Sequence, residues 1–150
     1  MDIYDYLKLD HEHVTHLFEL FENSDYSLHR KQIADLLIDE LLLHAHAEQE
    51  TFYKALLRDE TFKLVQHSKK EHREIEEQIK RIQTTKKLDS EWVKKVKKLK
   101  EIVDHHVKEE EGSLFRQAKN ILSDEDAYRL KELMHYLKMQ LKLNKRKKAA

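Results

Sequence analysis

The sequence predicts an all-α protein, an up-down-up-down four-helix bundle with a short fifth C-terminal helix, and three observations carry that expectation. The 150 residues hold one glycine and no proline, too little turn punctuation for a β-rich fold. Apolar residues recur at three- and four-residue spacing through four long stretches, as in helices that bury one face. The breaks between the stretches are short, so successive helices must pack antiparallel.

The first helix, over residues 2–22, turns Ile3, Leu7, Val14, Phe18 and Phe21 inward, and His11 fills the gap in that stripe. Ser27 is expected to cap a second helix to residue 57, with Ile33, Leu37, Leu41, Phe52 and Ala55 inward and His44 and Glu48 between them. Asp59 is the expected cap of a third helix to residue 83, which carries Phe62, Val65, Ile75, Ile79 and Ile82 and is interrupted by His72. After a loop at residues 84–88, Asp89 or Ser90 caps a fourth helix to residue 122, with Trp92, Val96, Leu99, Val103 and Leu114 inward and His106 and Glu110 in the stripe. Ser123-Asp124-Glu125-Asp126 has the form of a capping box and opens a fifth helix with Leu130, Leu133, Met134, Leu137 and Leu141. The expected division is a bundle (1–122), a C-terminal helix packed on it (123–143) and a basic, disordered tail (144–150).

Lysine plus arginine and aspartate plus glutamate both number 29, so there is no global pull toward nucleic acid or an anionic membrane, and neither is expected as a partner. The longest apolar run, Leu41-Leu42-Leu43, is far short of the roughly 20 residues of a membrane span. The N-terminus lacks the basic and apolar regions of a signal peptide, so a cytoplasmic location is expected. No cysteine is present, which excludes disulfides, thiolate zinc sites and cysteine nucleophiles. Eleven histidines, several times ordinary usage, are the first sign of chemistry.

The polar residues that break the four apolar stripes converge at about one height in an antiparallel bundle. Unpartnered, four buried imidazoles and two buried carboxylates would each cost several kcal/mol, which a domain stable by only about 5–15 kcal/mol could not tolerate. Metal ions remove that cost, because neutral imidazole nitrogen and carboxylate oxygen are their ligands, and the i,i+4 pairs His44/Glu48 and His106/Glu110 each aim two donors from one helix face. Six donors exceed one tetrahedral zinc, and two carboxylates can bridge, so a dinuclear centre is the economical reading; mixed nitrogen and oxygen ligation suits iron, with manganese or zinc as alternatives. The candidate ligands are His11, His44, Glu48, His72, His106 and Glu110. His105 and Glu109 form a shifted copy of the last pair, but the stripe from Leu99 through Val103 reaches His106. Which histidines share an ion stays open. The other histidines, His13, His16, His29, His46, His67 and His135, fall off the stripes and are read as exposed or as outer partners. Asp10 and Glu71, each preceding a candidate histidine, have two readings, acceptors of hydrogen bonds from the ligand histidines or solvated surface acids, and the second is preferred. Gly112, inside a helix, marks a close approach or a local backbone adjustment.

The halves also repeat: His44 to Tyr53 aligns with His106 to Phe115, each preceded at nearly the same distance by a lone histidine, His11 or His72. Asp10-His11, His44-x-x-x-Glu48 with Phe52-Tyr53, Glu71-His72, and His106-x-x-x-Glu110 with Leu114-Phe115 together resemble the hemerythrin-like (HHE cation-binding) domain. The resemblance implies a four-helix bundle around two Fe ions bridged by two carboxylates and an oxo or hydroxo group, with O2 or nitric oxide as the small ligand for sensing, scavenging or delivery. It leaves open a di-iron enzyme of peroxidase, ferroxidase or nitric oxide reductase type, and an iron storage, repair or sensing protein. Oxygen-carrying members have a second histidine one turn after the residue matching His72, where this chain has Glu76, a candidate seventh ligand.

Overall fold

The computed structural model describes residues 1–149, and its helices form five rods. The first rod is α1 (Ile3–Glu22). The second joins α2 (Ser27–Glu48) to a π-helical segment, Gln49–Tyr53. The third is α3 (Phe62–Gln83). The fourth runs from α4 (Ser90–Glu109) through a second π-helical segment, Glu110–Leu114, into α5 (Phe115–Ile121), and the last is α6 (Asp124–Ala149). Helix α1 packs on α2 and α3 on α4, while α6 lies across α1 and α2. Among the described residues no helix is long and apolar enough to cross a membrane.

The helix starts show local chemistry at work. Asp2 and Asp5 form a capping box at α1, and Asp89 accepts from the amides of Glu91 and Trp92 at α4. Ser123 and Asp126 cap each other's backbone amides at 3.1 and 3.2 Å, as the sequence predicts. Two expected caps are corrected. Ser27 is already helical and its hydroxyl turns to the carbonyl of Leu88, and the residue at the N-cap position of α3 is Thr61, not Asp59, with the Thr61 hydroxyl returning to the Leu56 carbonyl. Phe62 and Leu133, expected inside, are exposed. Helix α6 also continues through the basic residues to Ala149, so 144–149 are helical where a disordered tail is expected; lysines and arginine in a last turn suit the helix dipole. Ala150 lies outside the described residues.

The apolar core is in two parts. One, around Phe18, Phe21, Leu37, Trp92 and Leu99, fills the end of the bundle nearest the α1–α2 and α3–α4 turns. The other, around Ile3, Leu7, Phe52, Phe115, Leu122 and Met134, joins the opposite end to α6. The buried polar residues separate them.

The π-helical segments follow directly from Glu48 and include Glu110. Each inserts an extra residue into its turn, so that Phe52 and Tyr53, and Leu114 and Phe115, are all buried behind the carboxylates. A Cβ at Gly112 would meet nothing within 4 Å, which rules out a close approach; Gly112 sits in the π segment, and its counterpart in the other half is Glu50, so the segment does not depend on glycine.

Candidate metal centre

His11 on α1, His44 and Glu48 on α2, His72 on α3, His106 on α4 and Glu110 at the start of the second π segment meet between the two cores, and all six are buried. They form two quartets: His11, His44, Glu48 and Glu110, and His72, His106, Glu48 and Glu110. Each helical hairpin contributes its two histidines to one quartet, and both carboxylates are common to the two.

The inward atoms stand at ligand spacing. Nε2 of His11 is 3.3 Å from Glu110 Oε1, Nε2 of His44 is 3.5 Å from Glu48 Oε1, Nε2 of His72 is 3.2 Å from Glu48 Oε1, and Nε2 of His106 is 3.3 Å from Glu110 Oε2. Donors bound to one ion at about 2.1 Å lie roughly 3.0–3.4 Å apart along octahedral or tetrahedral edges, close to the 3.2–3.5 Å seen here. Nε2 of His11 and His44, both oxygens of Glu48 and Oε1 of Glu110 have no hydrogen-bond partner, and Glu48 is 0% exposed. A fully buried carboxylate without donors is expensive unless a cation meets it. The residues present therefore fit a pair of metal ions.

The outward nitrogens are held by a second ring of groups that repeats across the halves. His44 Nδ1 donates to Asp10 Oδ2 at 2.8 Å, and His106 Nδ1 to Glu71 Oε1 at 3.0 Å. His11 Nδ1 donates to Glu111 Oε2 at 2.6 Å, and the Gln49 side-chain amide contacts His72 Nδ1 at 2.8 Å. Proton on Nδ1 and lone pair on Nε2 is the tautomer a ligand histidine needs, and the carboxylates on Nδ1 of His11, His44 and His106 favour it. For Asp10 and Glu71 the preferred reading as solvated acids gives way to the other one, partners of the histidines, and Glu111, Gln49 and Tyr53 are residues that sequence reasoning missed. Tyr53 stacks on the His72 ring at 5.2 Å, and its hydroxyl donates to Glu110 and lies 3.3 Å from His72 Nε2.

Burial lowers the basicity of His44 and His106, but the facing carboxylates outweigh it and raise both pKa values to about 10. His11 moves upward by the same balance, with Glu110 and Glu111 prevailing over burial. Burial acts upward on Asp10, yet His44 and Lys138 hold it down at about 2. Burial beside Glu110 and Glu48 pushes the Tyr53 phenol well above its ordinary value, so it remains a proton donor.

Glu76 does not join the cluster. The inward face of α3 runs through His72, Ile75 and Ile79, and Glu76 is exposed on its flank. His13, His16, His29, His46, His67, His105 and His135 are also exposed.

The hemerythrin HHE cation binding domain model matches residues 2–118. The chain belongs to this family. The HHE domain here also shares the fold of a crystallised hemerythrin HHE cation binding domain-containing protein from Mycobacterium kansasii, with a TM-score of 0.84 and 23% identity over 93% of this chain and 86% of that one. In sequence it is 29% identical over 128 residues to a protein of Nostoc sp. named a DNA nickase, covering 83% of this chain and 36% of that protein, so the HHE domain spans about a third of that relative's length. Family membership and the two His/Glu quartets support a hemerythrin-like, metal-binding protein.

Proposed function

We propose that this HHE domain holds two iron ions with His11, His44, Glu48, His72, His106 and Glu110 as ligands, Glu48 and Glu110 being shared, and that the centre binds O2 or nitric oxide. The observation that carries the metal reading is the set of inward atoms at 3.2–3.5 Å spacing, of which Nε2 of His11 and His44, both oxygens of Glu48 and Oε1 of Glu110 have no hydrogen-bond partner. Mixed imidazole and carboxylate donors favour iron and admit manganese or zinc. Asp10, Glu71 and Glu111 add three carboxylates around the histidines, which offsets cationic charge beyond what Glu48 and Glu110 neutralise.

A cavity beside the histidines supports a small ligand. All four histidines, with Val14, Leu41, Ala45, Ile75, Val103 and Val107, line a space of about 20 Å³, room for roughly one water-sized molecule. The apolar walls favour an uncharged diatomic over an ion and restrict water. Ferrous ions would supply the electron density that captures it; the chain supplies ligands, orientation and dryness.

One observation favours a second reading, enzymatic turnover: the Tyr53 hydroxyl stands beside Glu110 and His72 as a proton donor. Anaerobic loading with ferrous iron, followed by optical spectra before and after O2 or nitric oxide, tests the first reading. A new charge-transfer band is expected, and a spectrum unchanged by either gas contradicts it. Repeated consumption of peroxide or nitric oxide, slowed by Tyr53→Phe, would establish the second.

A further inference from the structure

Two more His-x-x-x-Glu pairs lie on α3 and α4 outside the buried cluster: His67 with Glu71, and His105 with Glu109. The i,i+4 spacing again puts each pair on one helix face, and the packing of α3 on α4 brings the two pairs together. His67 Nε2 is 2.7 Å from Glu109 Oε2, and His105 Nε2 is 3.1 Å from Glu109 Oε1. Both Nε2 atoms are 3.5 Å from the same oxygen, Glu71 Oε2. His67, Glu71 and Glu109 each offer an atom within 4.8 Å of the others.

The geometry points to a third cation site, separate from the buried pair, in which His67, Glu71, His105 and Glu109 hold one divalent first-row ion of the zinc type. Two imidazoles and two carboxylates supply four nitrogen and oxygen donors, a set that a tetrahedral ion takes.

The repeat between the halves supplies an independent argument. Asp10 and Glu71 hold equivalent places, each accepting from a histidine of the centre with one oxygen. In the first half a cation already covers the carboxylate, since Lys138 Nζ of α6 lies 2.7 and 2.9 Å from the oxygens of Asp10. Helix α6 lies on α1 and α2, and among the described residues no lysine or arginine pairs with Glu71, whose side chain is only 6% exposed. Where the first half places an ammonium, the second places two imidazole nitrogens and a further carboxylate. That is a receptor for a cation from solution. His67 and His105 are 51% and 66% exposed, and a cleft bordered by Leu64, Ser68 and Ser113 reaches His67 and Glu109, so an ion can enter without passing the core.

Equilibrium dialysis against Zn2+ with metal analysis of the full chain tests this. The wild type is compared with His67→Ala/His105→Ala, whose exposed positions leave the core intact, as circular dichroism would verify. The wild type is expected to retain one equivalent more than the double variant, and Glu109→Gln, which keeps both imidazoles, to lose that same equivalent. Equal retention by wild type and double variant, or an undiminished third equivalent in Glu109→Gln, overturns the proposal. The result is a difference between proteins, so it reads this outer site whether or not the buried pair loads, and failure of the buried centre would show instead as a deficit common to all three.

Discussion

Lys138 Nζ lies 2.7 and 2.9 Å from the two carboxylate oxygens of Asp10, and Asp10 in turn accepts from Nδ1 of His44 at 2.8 Å. A residue of the last helix is therefore two contacts from the proposed iron ligands. Lys138 is buried over the Tyr6 ring, so the pair also fastens α6 to α1. Replacing Lys138 with Met leaves the mostly buried Asp10 carboxylate with His44 as its remaining cationic partner, and the metal-free protein should lose about 1–3 kcal/mol of stability. Chemical denaturation in the presence of chelator measures this; an unchanged midpoint would mean that the pair does not fasten the helix.

Asp10→Ala addresses the centre directly. Without the acceptor, His44 is no longer held with its lone pair inward, and affinity for the ion in the His11/His44 quartet should fall about 10- to 100-fold while the chain still folds. Competition with a chelator of known strength gives the number. Unaltered affinity would show that packing alone orients His44.

Glu48 illustrates a conflict between stability and ligation. Its side chain is fully buried and both oxygens lack hydrogen-bond partners. Glu48→Leu should leave the metal-free protein as stable as the wild type or more stable, by up to about 3 kcal/mol, because an apolar residue fits the core and His44 can shed its proton. The same variant should fail to hold the ion pair. Marked destabilisation without metal would show that the metal-free wild type satisfies Glu48 by other means.

Metal uptake should also release protons. The pKa values of His44 and His106 are raised from the ordinary 6.5 to about 10, so in the folded, metal-free protein both rings remain protonated at pH 8. By linkage the stability these charges contribute is fully present below about 6.5 and is lost as pH rises through about 10. A metal ion takes the Nε2 lone pairs, so uptake at pH 8 must expel the protons, and affinity must fall as the solution is made more acidic. An indicator dye in weak buffer would record the release, and proton-neutral uptake would contradict the assignment of these two imidazoles as ligands.

Much of the centre was legible because its residues violate a pattern. His11, His44, Glu48, His72, His106 and Glu110 interrupt apolar stripes, and burial without compensation is too costly for chance. The outer partners obey no such pattern. Asp10 and Glu71 each precede a ligand by one residue, about 100° around the helix, so from their own helix they look solvent-facing; only the position of the neighbouring helix shows that they meet a histidine. Glu76 misled for a related reason, since an i+4 position shares a face only if the inward direction lies between the two, and on α3 it lies toward Ile75. The caps at Ser27 and Asp59 depended on backbone angles that residue type does not determine. The π-helical segments left no mark either, because Gln49–Tyr53 forms one without a glycine.

The central claim is that two ions sit among six buried side chains of one bundle. Mössbauer spectroscopy of the protein loaded anaerobically with ferrous iron and then oxidised tests it most directly, since two irons sharing bridging carboxylates couple their spins while isolated irons do not. A spin-coupled pair accounting for two irons per chain, absent from His44→Ala/His106→Ala, is the predicted result. Uncoupled single irons, or a coupled pair that survives the loss of both histidines, would contradict it.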